Sequence, residues 1–159
     1  MNDSTKRVAI VGSGPAAFYS AMELLRHDDP MVSVDMLERL PTPYGLVRGG
    51  VAPDHEKIKS VTKIFERAAG HPRFRFFGNV EFGKDIQRRD LLQRYHAVIY
   101  AFGSRTDRHL NIIGETLKGS HAATEFVGWY NGHPDYRHQQ FDLTAKRVAI
   151  IGMGNVAID

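Results

Sequence analysis

The sequence contains no cysteine among its 159 residues. This absence excludes disulfide bonds, a thiol nucleophile, a Cys-x-x-Cys redox pair and a cysteine-ligated iron–sulfur cluster within the chain. Any redox chemistry must therefore belong to a bound cofactor.

The chain also lacks a long apolar run and a strong excess of one charge. No segment approaches the roughly 20 apolar residues that a membrane-spanning helix needs, and the polar N-terminus is unlike a secretory signal. We therefore expect a cytoplasmic protein with no membrane partner. The formal net charge of +3 is modest and the basic residues are scattered among acidic ones, which argues against a nucleic-acid partner.

Two glycines follow the first apolar segment, in Val8-Ala-Ile-Val-Gly-Ser-Gly-Pro-Ala-Ala17. This pattern predicts a strand, a tight turn and a helix, which together open a dinucleotide-binding fold. Gly12 would form the turn. Gly14, which has no side chain, would let a pyrophosphate approach the helix N-terminus, whose positive dipole end attracts anions. We call Gly12–Ala17 the first glycine turn.

An acidic residue about twenty positions farther along should bind the ribose hydroxyls of such a dinucleotide. Val32-Ser-Val-Asp-Met-Leu-Glu38 supplies a short strand that ends in Glu38. The alternative for Glu38 is an ordinary surface carboxylate.

Hydrophobic periodicity predicts the other elements of the chain. The first helix should end near His27, and a second should run from His55 to Ala69 with Asp54 as its N-cap. Residues 40–54 combine three prolines and three glycines with apolar side chains, which indicates an ordered loop. Further elements are strands at 73–77 and 97–103, the latter buried, and short helices at 90–95 and 124–130.

A second glycine pattern closes the chain, in Val148-Ala-Ile-Ile-Gly-Met-Gly-Asn-Val-Ala157. It predicts another strand, turn and helix, of which only the first helical turn is present. Because such a helix cannot bury its apolar face alone, we expect the chain to be the N-terminal portion of a longer protein that binds two dinucleotides. We call Gly152–Ala157 the second glycine turn.

Through Pro-Tyr-Gly-Leu-Val-Arg at 43–48, Ala-Pro-Asp-His at 52–55 and the two glycine patterns, the sequence resembles the adrenodoxin-reductase-type ferredoxin–NADP reductases. The resemblance covers nearly the whole chain, and Pro-Tyr-Gly-Leu-Val-Arg and Ala-Pro-Asp-His are far more specific than the glycines. The matching strings are Val11-Gly-Ser-Gly-Pro-Ala16, Leu40-Pro-Thr-Pro-Tyr-Gly-Leu-Val-Arg48, Val51-Ala-Pro-Asp-His55, Phe77-Gly-Asn79, Phe126-Val-Gly-Trp-Tyr-Asn131 and Gly152-Met-Gly-Asn-Val-Ala-Ile-Asp159.

The resemblance implies an α/β flavoprotein oxidoreductase. A Rossmann-like domain would bind FAD, a second would bind NADP, and electrons would pass to a ferredoxin, an acidic iron–sulfur protein. Residues 1–105 would be the first segment of the FAD-binding domain, 106–145 a connecting segment and 146–159 the truncated start of the NADP-binding domain.

The same resemblance implies roles for individual residues. Ala16 would lie at the FAD pyrophosphate, Glu38 at the adenosine ribose, Leu46 beside the flavin and Phe82 near the adenosine half. The residues implied at the NADP pyrophosphate are Met153, Gly154, Asn155 and Val156.

His55 is the catalytic candidate, since the family's Ala-Pro-Asp-His histidine lies near nicotinamide and flavin and pairs with a glutamate that would come after Asp159. A helix N-terminus disfavours a positive imidazolium. Glu56, which stands where the family usually has proline, raises the histidine's proton affinity. The two effects oppose each other, so the sequence leaves the protonation state open.

Two alternatives to the ferredoxin reductase stay open. One is an electron-input subunit with FAD and NADPH but another acceptor, similar to the glutamate synthase small subunit. The other is a catalytically inactive flavin-binding fragment. We assign no metal site, because His71, His133 and His138 lack the spacing and the accompanying ligands of a metal site.

Overall fold

The computed structural model describes residues 5–28, 30–55 and 60–158. Of these, the residues up to Arg48 together with 60–103 form one compact unit. Gly49–His55 and the residues from Ser104 onward form a second unit.

A four-stranded parallel sheet in the order β3-β2-β1-β4 is the centre of the first unit. Val11 is paired with Leu37 on one side and Tyr100 on the other, so the carboxyl ends of the strands share one edge. The chain adds β2 and β3 on one side of β1 and β4 on the other. Ligands of open α/β sheets bind where the strand order reverses in this way, here between β1 and β4. The strands are β1 (Lys6–Val11), β2 (Val32–Leu37), β3 (Phe74–Phe77) and β4 (Ala97–Tyr100).

Successive side chains of β1 point to opposite faces of the sheet, and residues on both faces are buried. Val8 and Ile10 belong to a core cluster that includes residues of helices α1 and α3, whereas Ala9 and Val11 pack with Leu91 of helix α4. These helices of the first unit are α1 (Pro15–Leu25), α3 (Thr62–Ala69) and α4 (Arg88–Arg94), and the single turn α2 (Leu46–Gly49) lies between α1 and α3 in the sequence. The α/β class and the parallel sheet are therefore as predicted.

Helix α1 buries an aromatic stripe against the sheet. Phe18 is fully buried, and its ring stacks on Phe65 of α3 at 4.9 Å and lies 6.1 Å from Phe74 of β3. Burial of such a side chain contributes about 2–3 kcal/mol. The helix ends at Leu25, two residues before the predicted His27, and Arg26 is its C-cap.

The second predicted helix is only partly described. Helix α3 begins at Thr62 with Val61 as its N-cap, whereas residues 56–59 lie outside the described residues. The helix start at His55 and the N-cap role of Asp54 therefore stay predictions.

The buried strand predicted at 97–103 is wrong in length and in burial. β4 ends at Tyr100, and Tyr100 and Phe102 are both exposed. Within the described part of the chain β4 is the edge strand and has a single neighbour, β1. The ends of four predicted elements, the strands at 32–38 and 73–77 and the helices at 90–95 and 124–130, shift by one or two residues, which is usual for helix and strand ends.

The strand predicted before the second glycine turn does not form in the described chain. Residues 148–151 have no regular structure, and Ile151 is 73% exposed. A strand needs a neighbour for its N–H and C=O groups, and none is paired with this segment in the described residues. The second unit contains helix α5 (Ala123–Tyr130) and the single turn α6 (Asn155–Ile158).

None of the helices described for this chain is both long and apolar enough to cross a membrane.

Candidate functional site

Gly12 begins the first glycine turn in a conformation that only glycine adopts easily. Its φ is +103°, and a Cβ built on it would lie 2.4 Å from the carbonyl oxygen of Ala101. Its N–H donates to the carbonyl of Leu37 at 2.8 Å. The turn therefore lies directly against the ends of β2 and β4, at the point where the strand order reverses.

Gly14 is different, because it has open space where a side chain would be. No heavy atom lies within 4 Å of a Cβ placed there. Gly14 is also the N-cap of α1, no side chain caps this end, and the first turn of the helix carries no acidic residue. Ala16, which is exposed, lies in that first turn. A helix N-terminus with open space at Gly14 and no acidic residue in its own first turn suits a pyrophosphate.

Glu38 follows β2 and is held by two hydrogen bonds. The Ser13 hydroxyl donates to Oε2 at 2.6 Å, and the Leu40 N–H donates to Oε1 at 3.1 Å. The structure therefore places Glu38 beside the first glycine turn, and its contact with a ribose stays a prediction. Ser13, which is fully buried, is a site residue that the sequence reasoning missed.

The loop after Glu38 packs on the first glycine turn. The Tyr44 N–H donates to the carbonyl of Ser13 at 2.9 Å, and a Cβ on Gly45 would lie 3.0 Å from the Gly14 Cα. The Tyr44 ring lies 5.3 Å from that of Phe18. The prediction of an ordered loop is thereby confirmed for Tyr44.

Tyr44 itself has a φ of +91°, which is unfavourable for a residue with a side chain. Strained backbone of this kind concentrates at functional sites. Leu46, two residues later, is 63% exposed, so its side chain is accessible to a ligand.

Phe82 lies beside the carboxyl end of β4. Its ring centroid is 5.2 Å from that of Tyr100, and it packs against the cluster formed by Val11, Leu37 and Leu91. Phe82 thus lies near the same edge of the sheet as the first glycine turn. Its contact with an adenosine stays a prediction.

A buried carboxylate that the sequence reasoning missed lies in the middle of β2. Asp35 accepts two hydrogen bonds from Arg75, at 2.7 and 2.6 Å, and one from the Tyr95 hydroxyl at 2.7 Å, and Arg7 lies 3.4 Å away. Burial raises the pKa of Asp35, but the hydrogen bonds from Arg75 and Tyr95 and the charge of Arg75 outweigh it, so the pKa is below its ordinary value. Through these contacts Asp35 of β2 connects Arg7 of β1 and Arg75 of β3 with Tyr95, the residue that follows α4. In the sequence, the feature that could have revealed this network is an aspartate within an otherwise apolar strand.

The second glycine turn has no comparable setting in the described residues. Met153 is 92% exposed and Val156 is exposed as well, while no heavy atom lies within 4 Å of a Cβ on Gly154. Asn155 begins the single helical turn α6. The binding of NADP by these four residues stays a prediction.

His55 belongs to the second unit, where its N–H donates to the carbonyl of Ala52 at 3.1 Å. Glu56, the next residue in the sequence, lies outside the described residues. The catalytic role of His55 therefore also stays a prediction.

A sequence model of the pyridine nucleotide-disulphide oxidoreductases matches residues 6–159. The chain belongs to this family. The match spans the sheet, the first glycine turn and the second, so the resemblance noted in the sequence is confirmed at the level of the family.

Individual relatives agree with this assignment. The chain is 58% identical over 156 residues to the NADPH-ferredoxin reductase FprA of Mycobacterium leprae, and 48% identical over 155 residues to the mitochondrial NADPH:adrenodoxin oxidoreductase of Drosophila melanogaster. These alignments cover 96% and 98% of this chain but 34% and 33% of the relatives. The chain thus spans about a third of the length of the curated relatives it matches.

The fold is likewise similar to a solved structure. Mycobacterium tuberculosis FprA in complex with NADPH superposes with a TM-score of 0.93 at 56% identity. The similarity covers 97% of this chain and 35% of the FprA chain.

Proposed function

We propose that this chain is the FAD-binding portion, with the start of the NADP-binding portion, of an NADPH-dependent ferredoxin reductase. The observation that carries the proposal is the first glycine turn at the strand-order reversal. There Gly14 leaves the α1 N-terminus open and Glu38 is held beside it. The names of the relatives, NADPH-ferredoxin reductase and NADPH:adrenodoxin oxidoreductase, support the electron donor and the acceptor.

The residues present fit a bound dinucleotide. The N-terminus of α1, with Gly14 and Ala16, would hold the pyrophosphate, and Glu38 would accept hydrogen bonds from the adenosine ribose. Exposed Leu46 would cover the ring system, and Phe82 would pack near the adenosine half. Gly12 contributes indirectly, because its missing side chain lets the turn close against Ala101.

When bound, FAD supplies the ability to take two electrons as a hydride from NADPH and release them one at a time. The protein supplies position and electrostatics around that chemistry. His55 would contribute a hydrogen-bonding group near the reacting rings, and Met153, Gly154, Asn155 and Val156 would form the turn at the NADP pyrophosphate. An acidic iron–sulfur protein as acceptor and a cytoplasmic location are parts of the same proposal.

The intact protein that carries this chain provides the test. It should copurify with FAD, seen as flavin absorption, and reduce a ferredoxin or an electron-accepting dye with NADPH. A colourless, flavin-free intact protein would contradict the proposal. A panel of acceptors separates a ferredoxin reductase from an electron-input subunit with another acceptor.

The 159-residue chain alone should be catalytically inactive. The exposed segment 148–153 favours this expectation, because a dinucleotide turn needs a strand and a sheet behind it. NADPH-dependent dye reduction by the purified 159-residue chain would overturn it.

A further inference from the structure

Ser13 occupies the position between the two glycines of the first glycine turn, where the dinucleotide pattern specifies no residue type. Its side chain is fully buried, yet its hydroxyl donates a 2.6 Å hydrogen bond to Oε2 of Glu38, 25 residues away in the sequence. A buried hydroxyl needs a partner, and here that partner is the acidic residue of the candidate site.

The carboxylate of Glu38 is fixed at both oxygens. Oε2 is bonded to Ser13 and Oε1 to the N–H of Leu40, at 3.1 Å. An ionised carboxylate offers about four acceptor positions, so two remain for a ligand. A glutamate side chain held by two donors has lost its rotamer freedom before a ligand arrives, which lowers the cost of binding.

Ser13 also connects the turn to the loop that covers it. Its carbonyl accepts the N–H of Tyr44 at 2.9 Å. The side chain of one buried residue thus holds the acid, and its main chain holds the loop.

We propose that Ser13 is a positioning residue that orients Glu38 toward the ribose hydroxyls of the bound dinucleotide. This inference rests on the proposed function, because it requires FAD at the first glycine turn. Loss of the Ser13 hydroxyl should weaken only those contacts that depend on the adenosine ribose hydroxyls.

The test uses the intact protein, stripped of flavin and titrated calorimetrically with two ligands. One is FAD, and the other is an FAD analogue whose adenosine ribose lacks both hydroxyls. For Ser13→Ala the Kd of FAD should rise about threefold to tenfold, the effect of one lost or misdirected hydrogen bond. The Kd of the analogue should not change.

Two further variants control for folding. Ser33→Ala removes a hydroxyl from the same sheet in the amino-terminal half of β2, and both Kd values should match the wild type. Ser13→Cys keeps the side-chain volume but donates weakly, so it should reproduce the Ser13→Ala pattern even where the alanine variant is poorly folded.

A double substitution sharpens the result. In a Glu38→Ala background, Ser13→Ala should cause no further loss of FAD affinity, because Ser13 acts through Glu38.

Three results would overturn the assignment of Ser13. These are an unchanged Kd for FAD, an equal loss for FAD and the analogue, or additive losses in the double variant. If the wild-type protein binds neither ligand, the proposed function itself fails and the assignment fails with it. Binding of FAD by the wild type without the selective pattern removes only the assignment.

Discussion

The two glycine turns have similar sequences and different surroundings. In the first, residues 8–11 lie inside a parallel sheet and are at most 5% exposed, and Gly12 closes against Ala101. In the second, residues 148–151 are exposed and form no strand in the described chain. A glycine pattern therefore specifies a local turn, whereas the binding site also requires neighbouring strands to hold that turn.

Truncation of an aromatic core residue should give the largest difference between the two regions. Phe18→Ala removes a ring packed against Phe65 and Phe74, so the free energy of unfolding should fall by about 3–5 kcal/mol. Ile150→Ala removes an exposed side chain and should change it by less than about 0.5 kcal/mol. Urea denaturation of the 159-residue chain measures both, and equal losses would mean that the second region is packed as tightly as the first.

Alanine substitution of Gly12 and Gly152, the first glycine of each turn, should give the next largest difference in stability. Gly12→Ala combines an unfavourable φ with a Cβ 2.4 Å from a backbone oxygen, and should cost about 2–4 kcal/mol of stability. Gly152→Ala shares the unfavourable positive φ, which is +139° at Gly152, but its Cβ would lie no closer than 3.7 Å to Ala157. Its cost should therefore be smaller than that of Gly12→Ala, about 1 kcal/mol. A reversed order of the two unfolding midpoints would contradict this explanation.

The pH dependence of stability should separate the regions more weakly. The pKa of Asp35 is lowered in the folded chain, so its contribution is complete above the ordinary value of 3.8 and is lost as the pH falls through the lower folded value. Asp35→Asn should reduce stability at pH 7 by about 1–3 kcal/mol and flatten the decline of stability in acid.

Asp142 provides the matched control in the second unit. Its pKa is also lowered, by hydrogen bonds from the Thr144 hydroxyl and N–H, but it is fully solvated. Asp142→Asn should leave the acid profile close to that of the wild type, because solvent screens such surface contacts. Unfolding series at pH 3–7 compare the two variants, and a profile unchanged by Asp35→Asn would refute the role given to the buried network.

The part of the site that could be predicted is the part whose spacing follows a known motif. The strand, Gly12, Gly14 and Glu38 follow a spacing that reflects β-α-β geometry, and the structure brings them together. The parallel sheet follows from the alternation of apolar strands and amphipathic helices.

The missed features depend on contacts between distant residues. Asp35 reads as a polar interruption of a strand, because its partners Arg75 and Tyr95 are 40 and 60 residues away. Ser13 and Glu38 are separated by 25 residues. The strand predicted at 148–151 rests on an apolar run followed by a glycine pattern, and neither of these shows whether a neighbouring strand is present.

The most direct test of the central claim is the affinity of the intact protein for FAD after Gly14→Ala. The added Cβ meets no protein atom within 4 Å, so the unfolding midpoint should fall only slightly, because alanine is a poorer N-cap than glycine. The Kd of FAD should rise about tenfold or more, because the methyl group occupies the approach to the α1 N-terminus. Gly154→Ala, which also meets no atom within 4 Å, should leave the Kd of FAD unchanged. Wild-type affinity in the Gly14→Ala protein would contradict the placement of the pyrophosphate at the first glycine turn.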